Sequence, residues 1–278
     1  MQRFLSKLRQ SEGFARYLKL APSRRAKINL LVLGVLSSRR FQSSWPNKLG
    51  RRLFPTLCIR IRFGNEIKIT LDPFDASHRL IFDEVFIKRN YDLRRVSFQP
   101  DVIIDCGAHI GLFTTLASIT FPFARCLAFE PNPQNVHLFR RQISSNKLEV
   151  EFFPAAVSDK AGQATLNFSC SCDGRLGASD RNDIRGVKVE TVNLIELVRD
   201  LGSHALLLKM DIEGEEESLL PAVLPYLPQR CGIFFETHFG EASWRRHADR
   251  LAQGGFAVSR LNVRGSFSDS YASRGDGN

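Results

Sequence analysis

The sequence predicts an α/β fold, a Rossmann-like doubly wound and mainly parallel sheet with helices on both faces. Three observations predict its architecture. From Asp101 onward, short and nearly continuous apolar runs alternate with longer segments of helical period. The runs are too apolar to leave one face wet, so helices must cover both faces of the sheet. The first run passes through glycines 107 and 111 into an apolar helix, the turn in which such sheets hold ligands.

The elements follow in order. Residues 1–56 mix apolar residues with Lys and Arg and predict a basic helical extension, its helices broken near Pro22 and Pro46. Residues 57–100 hold a hairpin and a helical lead-in: "LCIRIRFGNEIKITL" alternates apolar and polar residues around Gly64-Asn65, and "RLIFDEVFIKRNY" is helical. The main domain spans 101–264. Its strands are expected at Val102–Cys106, Arg125–Glu130, Val150–Ala155, Ala205–Asp211 and Gly232–Glu236. Helices are expected near Gly111–Thr120, Gln134–Ser145, Leu194–Leu201, Glu215–Leu224 and Ser243–Gln253. Residues between Leu166 and Val189 read as an irregular acceptor-side loop. Residues 265–278 are small and polar and read as a flexible tail.

Charge is distributed unevenly. The chain of 278 residues has 39 basic and 29 acidic residues, yet residues 1–62 contain 15 Lys or Arg and one acid, Glu12. The remainder is mildly acidic, which argues against a protein whose whole surface follows nucleic acid. The basic segment reads either as a solvated extension or as a peripheral contact with an anionic membrane. The run "INLLVLGVL", Ile28–Leu36, has about half the ~20 residues that span a bilayer, and no signal peptide is expected. Six cysteines lack a paired CxxC pattern. Cys106 and Cys231 read as small buried hydrophobes, Cys170 and Cys172 lack partners for zinc, and a reducing compartment, the cytoplasm, is expected.

The glycine turn points to a cofactor. Asp105 closes the first strand, Gly107 would let a ligand approach the backbone, and Gly111 would let helix and strand pack tightly. Glu130 lies 19 residues beyond Gly111, near the spacing at which an acid grips a ribose. Ala108, His109, Pro131 and Asn132 flank these residues in the two turns. A dinucleotide would set its pyrophosphate against the Asp105 carboxylate, which disfavours NAD. S-adenosylmethionine has no phosphate and is cationic at its amino group and sulfonium, so Asp105 favours it.

The ordered blocks "DCGAHIGLFTTLAS", "LAFEPNPQNVHLFRRQI", "PAAVSDKAGQATL", "LLLKMDIEGEEESLL" and "IFFETH" resemble the FkbM family of S-adenosylmethionine-dependent methyltransferases, over about Phe82–Phe256. The resemblance implies the class I methyltransferase fold and O-methylation of hydroxyls on sugars, polysaccharides or polyketide-type products. His109 stands where the family more often has Asn. By resemblance Ala156 and Val157 line the adenine pocket, and Asp159 either contacts the adenine amino group or forms the turn before Ala161-Gly162.

Methyl transfer to an alcohol is an in-line displacement that needs alignment and a place for one proton. Asp211 at the fourth strand tip is a candidate for contact with cofactor or acceptor, against a plain role as a helix cap or as Lys209's partner. Strand alternation places Lys209 and Asp211 on one side, and Glu213 joins them if the chain stays extended. The acids at Glu215, Glu216 and Glu217 suit a helix start on dipole grounds alone. His238 is the natural general base near neutral pH, whereas His109 packs or caps. Asp211, Glu213, Glu236 and His238 are a conceivable divalent metal set, but no ligand spacing is fixed and metal dependence is not the favoured reading. An NAD-type oxidoreductase and a nucleic-acid methyltransferase remain the alternatives. The latter is disfavoured by the lack of an NPPY-like motif and of aromatics beside the arginines.

Overall fold

A computed structural model describes residues 19–36, 56–168, 174–176 and 185–275. Cys170, Cys172, Pro46 and much of the expected acceptor-side loop lie outside these residues. The described chain forms two compact units, one running up to Arg89 and including 144–147, the other formed by 90–143 and the residues from Leu148 onward.

In the first unit, α1 (Arg24–Leu36) follows a break at Pro22, and the Ser23 hydroxyl accepts from Ala26 N at 3.2 Å. β1 (Leu57–Phe63) and β2 (Asn65–Leu71) form the expected antiparallel hairpin, turning at Gly64 with φ 74°. Alternation buries Ile59, Ile61, Ile67 and Ile69 and turns Arg60 and Glu66 outward. α2 (Ala76–Phe82) is capped by Asp75 and runs into a π-helical turn, Asp83–Lys88. Among the described residues no helix is long and apolar enough to cross a membrane.

The second unit is built on a seven-stranded sheet. In chain order it contains β3 (Val102–Cys106), α3 (Leu112–Thr120), β4 (Arg125–Phe129), α4 (Pro133–Asn146) and β5 (Glu151–Phe153). A side sheet follows: β6 (Ala155–Ser158), β7 (Gly162–Phe168), β8 (Arg175–Leu176) and β9 (Arg185–Asn193). The main sheet resumes through α5 (Leu194–Asp200), β10 (Leu206–Met210), α6 (Glu216–Val223), β11 (Cys231–Thr237) and α7 (Gly240–Gln253). It ends with β12 (Ala257–Arg264) and β13 (Phe267–Arg274). The sheet order is β12-β13-β11-β10-β3-β4-β5, parallel from β5 to β11.

Alternation along the buried strands assigns the two faces. Ile104, Leu208, Met210, Ile233 and Phe235 join Leu194, Val198, Leu219, Leu220 and Leu251 in the larger core, so α5, α6 and α7 cover that side. On the other side Ala108 and Ala128 pack with Phe139, whose ring stacks on Phe152 at 4.0 Å. Cys106 and Cys231 are buried free thiols, as expected of small hydrophobes.

Three expectations are corrected. Residues 265–278 are not a flexible tail as far as they are described, because β13 lies between β11 and β12 in the main sheet. Its small polar residues satisfy ladder hydrogen bonds on both sides, Trp244 Nε1 donates to Ser270 Oγ at 2.9 Å, and Ala272 enters the core. The strand expected at Val150–Ala155 is split by Pro154, which has no N–H for the ladder. Beyond it the chain leaves for the side sheet. The described residues of the expected acceptor loop are mostly strand, since β7 and β9 pair antiparallel through Phe168 and Arg185.

Candidate active site

The parallel strands end on one edge, and the chemistry gathers there. Register sets Lys209 beside Asp105 and Phe234 on neighbouring strands. Lys209 is 1% exposed. Its Nζ lies 3.2 Å from Asp105 Oδ1 and 3.9 Å from Asp211 Oδ2, and it donates to Gly107 O at 2.7 Å. Burial opposes its charge, but the two carboxylates outweigh burial and hold its pKa above the ordinary lysine value. Asp105 is fully buried and also accepts from Thr114 Oγ1 at 2.5 Å. Asp105, expected from the sequence to receive a cofactor's cation, is paired here with the protein's own Lys209.

Gly107 and Gly111 have φ of 78° and 81°, the left-handed region that favours glycine. A Cβ on Gly107 would lie 1.9 Å from Asp211 O, and one on Gly111 would lie 2.8 Å from Phe139 Cδ2. The first glycine thus admits the end of β10, and the second admits α4 rather than the strand expected from the sequence. His109 also has positive φ, 51°. Gly107 N and Ala108 N donate to Phe129 O, and His109 N donates to Glu130 Oε2 at 2.8 Å. These three amides are committed inside the protein and are not offered to a pyrophosphate.

Glu130 is 5% exposed and ties the two turns together. Its other oxygen accepts from Asn132 N at 2.9 Å and Asn135 Nδ2 at 3.1 Å. Burial pushes its pKa up against those donors. Three of a carboxylate's roughly four acceptor sites are occupied, which leaves room for a hydroxyl. Pro131 and Asn132 lead into α4, and Asn132 Oδ1 accepts from Gln134 N at 3.0 Å as a helix cap. Ala156 packs with Leu166, Phe168 and Val189 in the side-sheet core, and Val157 belongs to the main core. Asp159 is exposed in the turn before Gly162.

Asp211, Glu213 and His238 do come together. Tyr91 Oη donates to Asp211 Oδ2 at 2.7 Å, and its ring is fixed edge-on against Phe113 and Phe234. Burial would raise the Asp211 pKa, but Lys209, His238 and Tyr91 hold it below the usual value. Glu213 arrives through a left-handed turn, φ 58°, not through the extended chain expected. Its Oε2 is 3.6 Å from His238 Nε2, and burial followed by the Asp211 charge pushes its pKa up to about 8. His238 is 3% exposed at the side chain. Burial lowers its pKa, but Glu216, Asp211 and Glu213 overcome that and raise it to about 9. At neutral pH it therefore carries its proton, contrary to the expectation of a ready base.

Glu236 is held by Arg264 at 2.9 Å, and burial with the nearby Asp211 and Asp269 charges pushes its pKa up to about 11. Sequence reasoning missed Tyr91, which no periodicity marks, and read Glu216 as a mere dipole acid. The Glu216 carboxylate instead reaches back to Ile212 N at 2.5 Å and Gly214 N at 2.8 Å and sets the turn. The signal was there in part, as an acid following a glycine at a strand-to-helix turn.

A doubly wound sheet with a glycine turn after β3, an acid ending β4 and an acidic cluster at the tips of β10 and β11 defines a class I methyltransferase. Residues 105–258 match the Methyltransferase FkbM domain. The chain belongs to this family of methyltransferases. It is 28% identical over 178 residues to Methyltransferase sdnD of Sordaria araneosa, covering 52% of this chain and 68% of that one. It is 27% identical over 177 residues to 31-O-demethyl-FK506 methyltransferase FkbM of Streptomyces tacrolimicus, again covering 52% and 68%. Among solved structures, the FkbM methyltransferase of Methylobacillus flagellatus KT is similar with a TM-score of 0.41 and 13% identity, over 63% of this chain and 44% of that one.

Proposed function

We propose that this chain is an S-adenosylmethionine-dependent O-methyltransferase whose acceptor is a hydroxyl of a carbohydrate, glycan or related natural product. The observation that carries the reading is the pair of turns clasped by Glu130: their amides are spent internally, while a carboxylate with spare acceptor capacity remains for a ribose. Burial and the crowding of acids at the neighbouring strand tips raise the pKa of Glu213 and Glu236, a crowding that a cationic cofactor would relieve and a dinucleotide would worsen. Asp105 contributes indirectly, by holding Lys209 in place beneath Asp211. The acceptor class is supported by family membership and by a relative whose name describes methylation of a demethylated oxygen.

Alignment is the main task of such an enzyme. Tyr91 and Lys209 fix Asp211, and Glu213, 30% exposed at its side chain, is the most open acid of the cluster and, in the ionised form it takes above about pH 8, the proposed acceptor of the hydroxyl proton, so turnover should rise with pH through that range. Calorimetry tests the cofactor: Glu130→Gln should weaken S-adenosylmethionine binding about tenfold, the cost of one charge-assisted hydrogen bond of ~1.5 kcal/mol. Unchanged affinity, or tighter binding of NAD than of S-adenosylmethionine by the wild type, defeats the reading. Comparing glycans and small products of cells with and without the gene, and seeking a mass difference of one methylene, identifies the acceptor.

A further inference from the structure

We propose that Asp211, Glu216 and His238 form a site for a divalent transition-metal ion of the manganese or zinc kind. Each offers one ligand atom, and these atoms lie within 4.8 Å of one another, the scale on which donors ~2.0–2.2 Å from a single ion converge. They come from three places in the chain: the residue after β10, the first turn of α6 and the residue after β11. The site is independent of whether methyl transfer is the reaction.

The second observation lies in the histidine. His238 Nδ1 is buried and 3.4 Å from Glu216 Oε2, without the geometry of a hydrogen bond. A ligating imidazole is neutral, so a divalent ion would displace the proton that the carboxylates hold on this ring and take its place among them. Glu216 is also prepared. Ile212 N and Gly214 N fix both of its oxygens, leaving further lone pairs on a carboxylate that cannot swing away. Tyr91 orients Asp211 in the same way, and the 14% exposure of the Asp211 side chain gives an ion its way in.

Geometry also separates this set from the one conceivable in the sequence. Glu236 turns to Arg264 at 2.9 Å, and Glu213 faces the other ring nitrogen, Nε2. Glu216 takes their place. One nitrogen and two carboxylates suit Mn²⁺ or Zn²⁺ better than the all-oxygen sets of Ca²⁺ or Mg²⁺.

The test uses the full chain, stripped with chelator and equilibrated with Mn²⁺. Elemental analysis is expected to find one ion per chain, with a changed Mn²⁺ paramagnetic resonance spectrum and displacement by Zn²⁺. His238→Ala and Glu216→Gln should each weaken retention by about tenfold or more, while Glu213→Gln keeps it. Glu216→Gln is nearly isosteric, so it decides the matter even if His238→Ala fails to fold, with thermal unfolding as the check. No retention by the wild type at millimolar Mn²⁺, or equal retention by wild type and Glu216→Gln, overturns the proposal. S-adenosylmethionine binding is measured on the same samples: cofactor binding without metal retention overturns this site alone, and metal retention without cofactor binding overturns the cofactor reading alone.

Discussion

Lys209 keeps its charge in a place nearly without water, and that sets the cost of touching it. Asp105 is its closest carboxylate, at 3.2 Å, and is itself fully buried. Removing one member of a buried pair strands the other, so Asp105→Ala should cost about 3–5 kcal/mol of stability by denaturant unfolding. Adding Lys209→Met should recover part of that loss, because the stranded ammonium disappears with it. Strictly additive losses would mean that the two residues do not act as a pair. The sequence shows that an acid ends the first strand and a lysine lies near the end of the fourth. It does not show that they face each other, because their register is a property of strands joined only in the folded sheet. For the same reason Asp105 reads as a ligand for a cation from outside, when the cation it holds belongs to the protein.

Strands and helices of the parallel core were legible because burial on both faces writes itself as unbroken apolar runs. Val102–Cys106 and Leu206–Met210 are wholly buried, and their runs stand out in the sequence. β13 escaped for the opposite reason. "FSDSYASR" has the composition of a loop, and only pairing on both sides makes its polar backbone affordable in the interior. Arg274 at its end donates to Leu227 O and Gly254 O and so closes the strand against the loops around it. Truncation after Ser266 should therefore strip the ladder from both β11 and β12. The expected result is an insoluble chain or the loss of cooperative thermal unfolding; a truncated chain that melts like the full one would show that β13 contributes no stability. The Glu213 turn was illegible on similar grounds, since a left-handed glutamate is disfavoured locally and is held here by Glu216 and His238.

Along the whole chain the basic excess is confined to the N-terminal segment. Residues 1–62 hold 15 basic residues against one acid, while the rest of the chain is mildly acidic. In α1 the apolar positions Ala26, Leu30 and Leu33 are buried, while Arg24, Arg25 and Lys27 are exposed beside Ile28, which is 58% exposed. Basic side chains interleaved with an open apolar one are the chemistry of contact with an anionic surface, where each Lys or Arg close to the lipid contributes about 1 kcal/mol. Screening sets the signature: such attraction falls off over ~10 Å at 0.1 M salt, so added salt should release the protein. In flotation, the full chain is expected to rise with vesicles containing phosphatidylserine and to stay behind with neutral ones. Changing Arg24, Arg25 and Lys27 to Gln should reduce the floating fraction without altering thermal stability, because all three point to solvent. Equal flotation with both kinds of vesicle would assign the attraction to apolar residues, and no flotation with either would leave the basic segment to solubility alone.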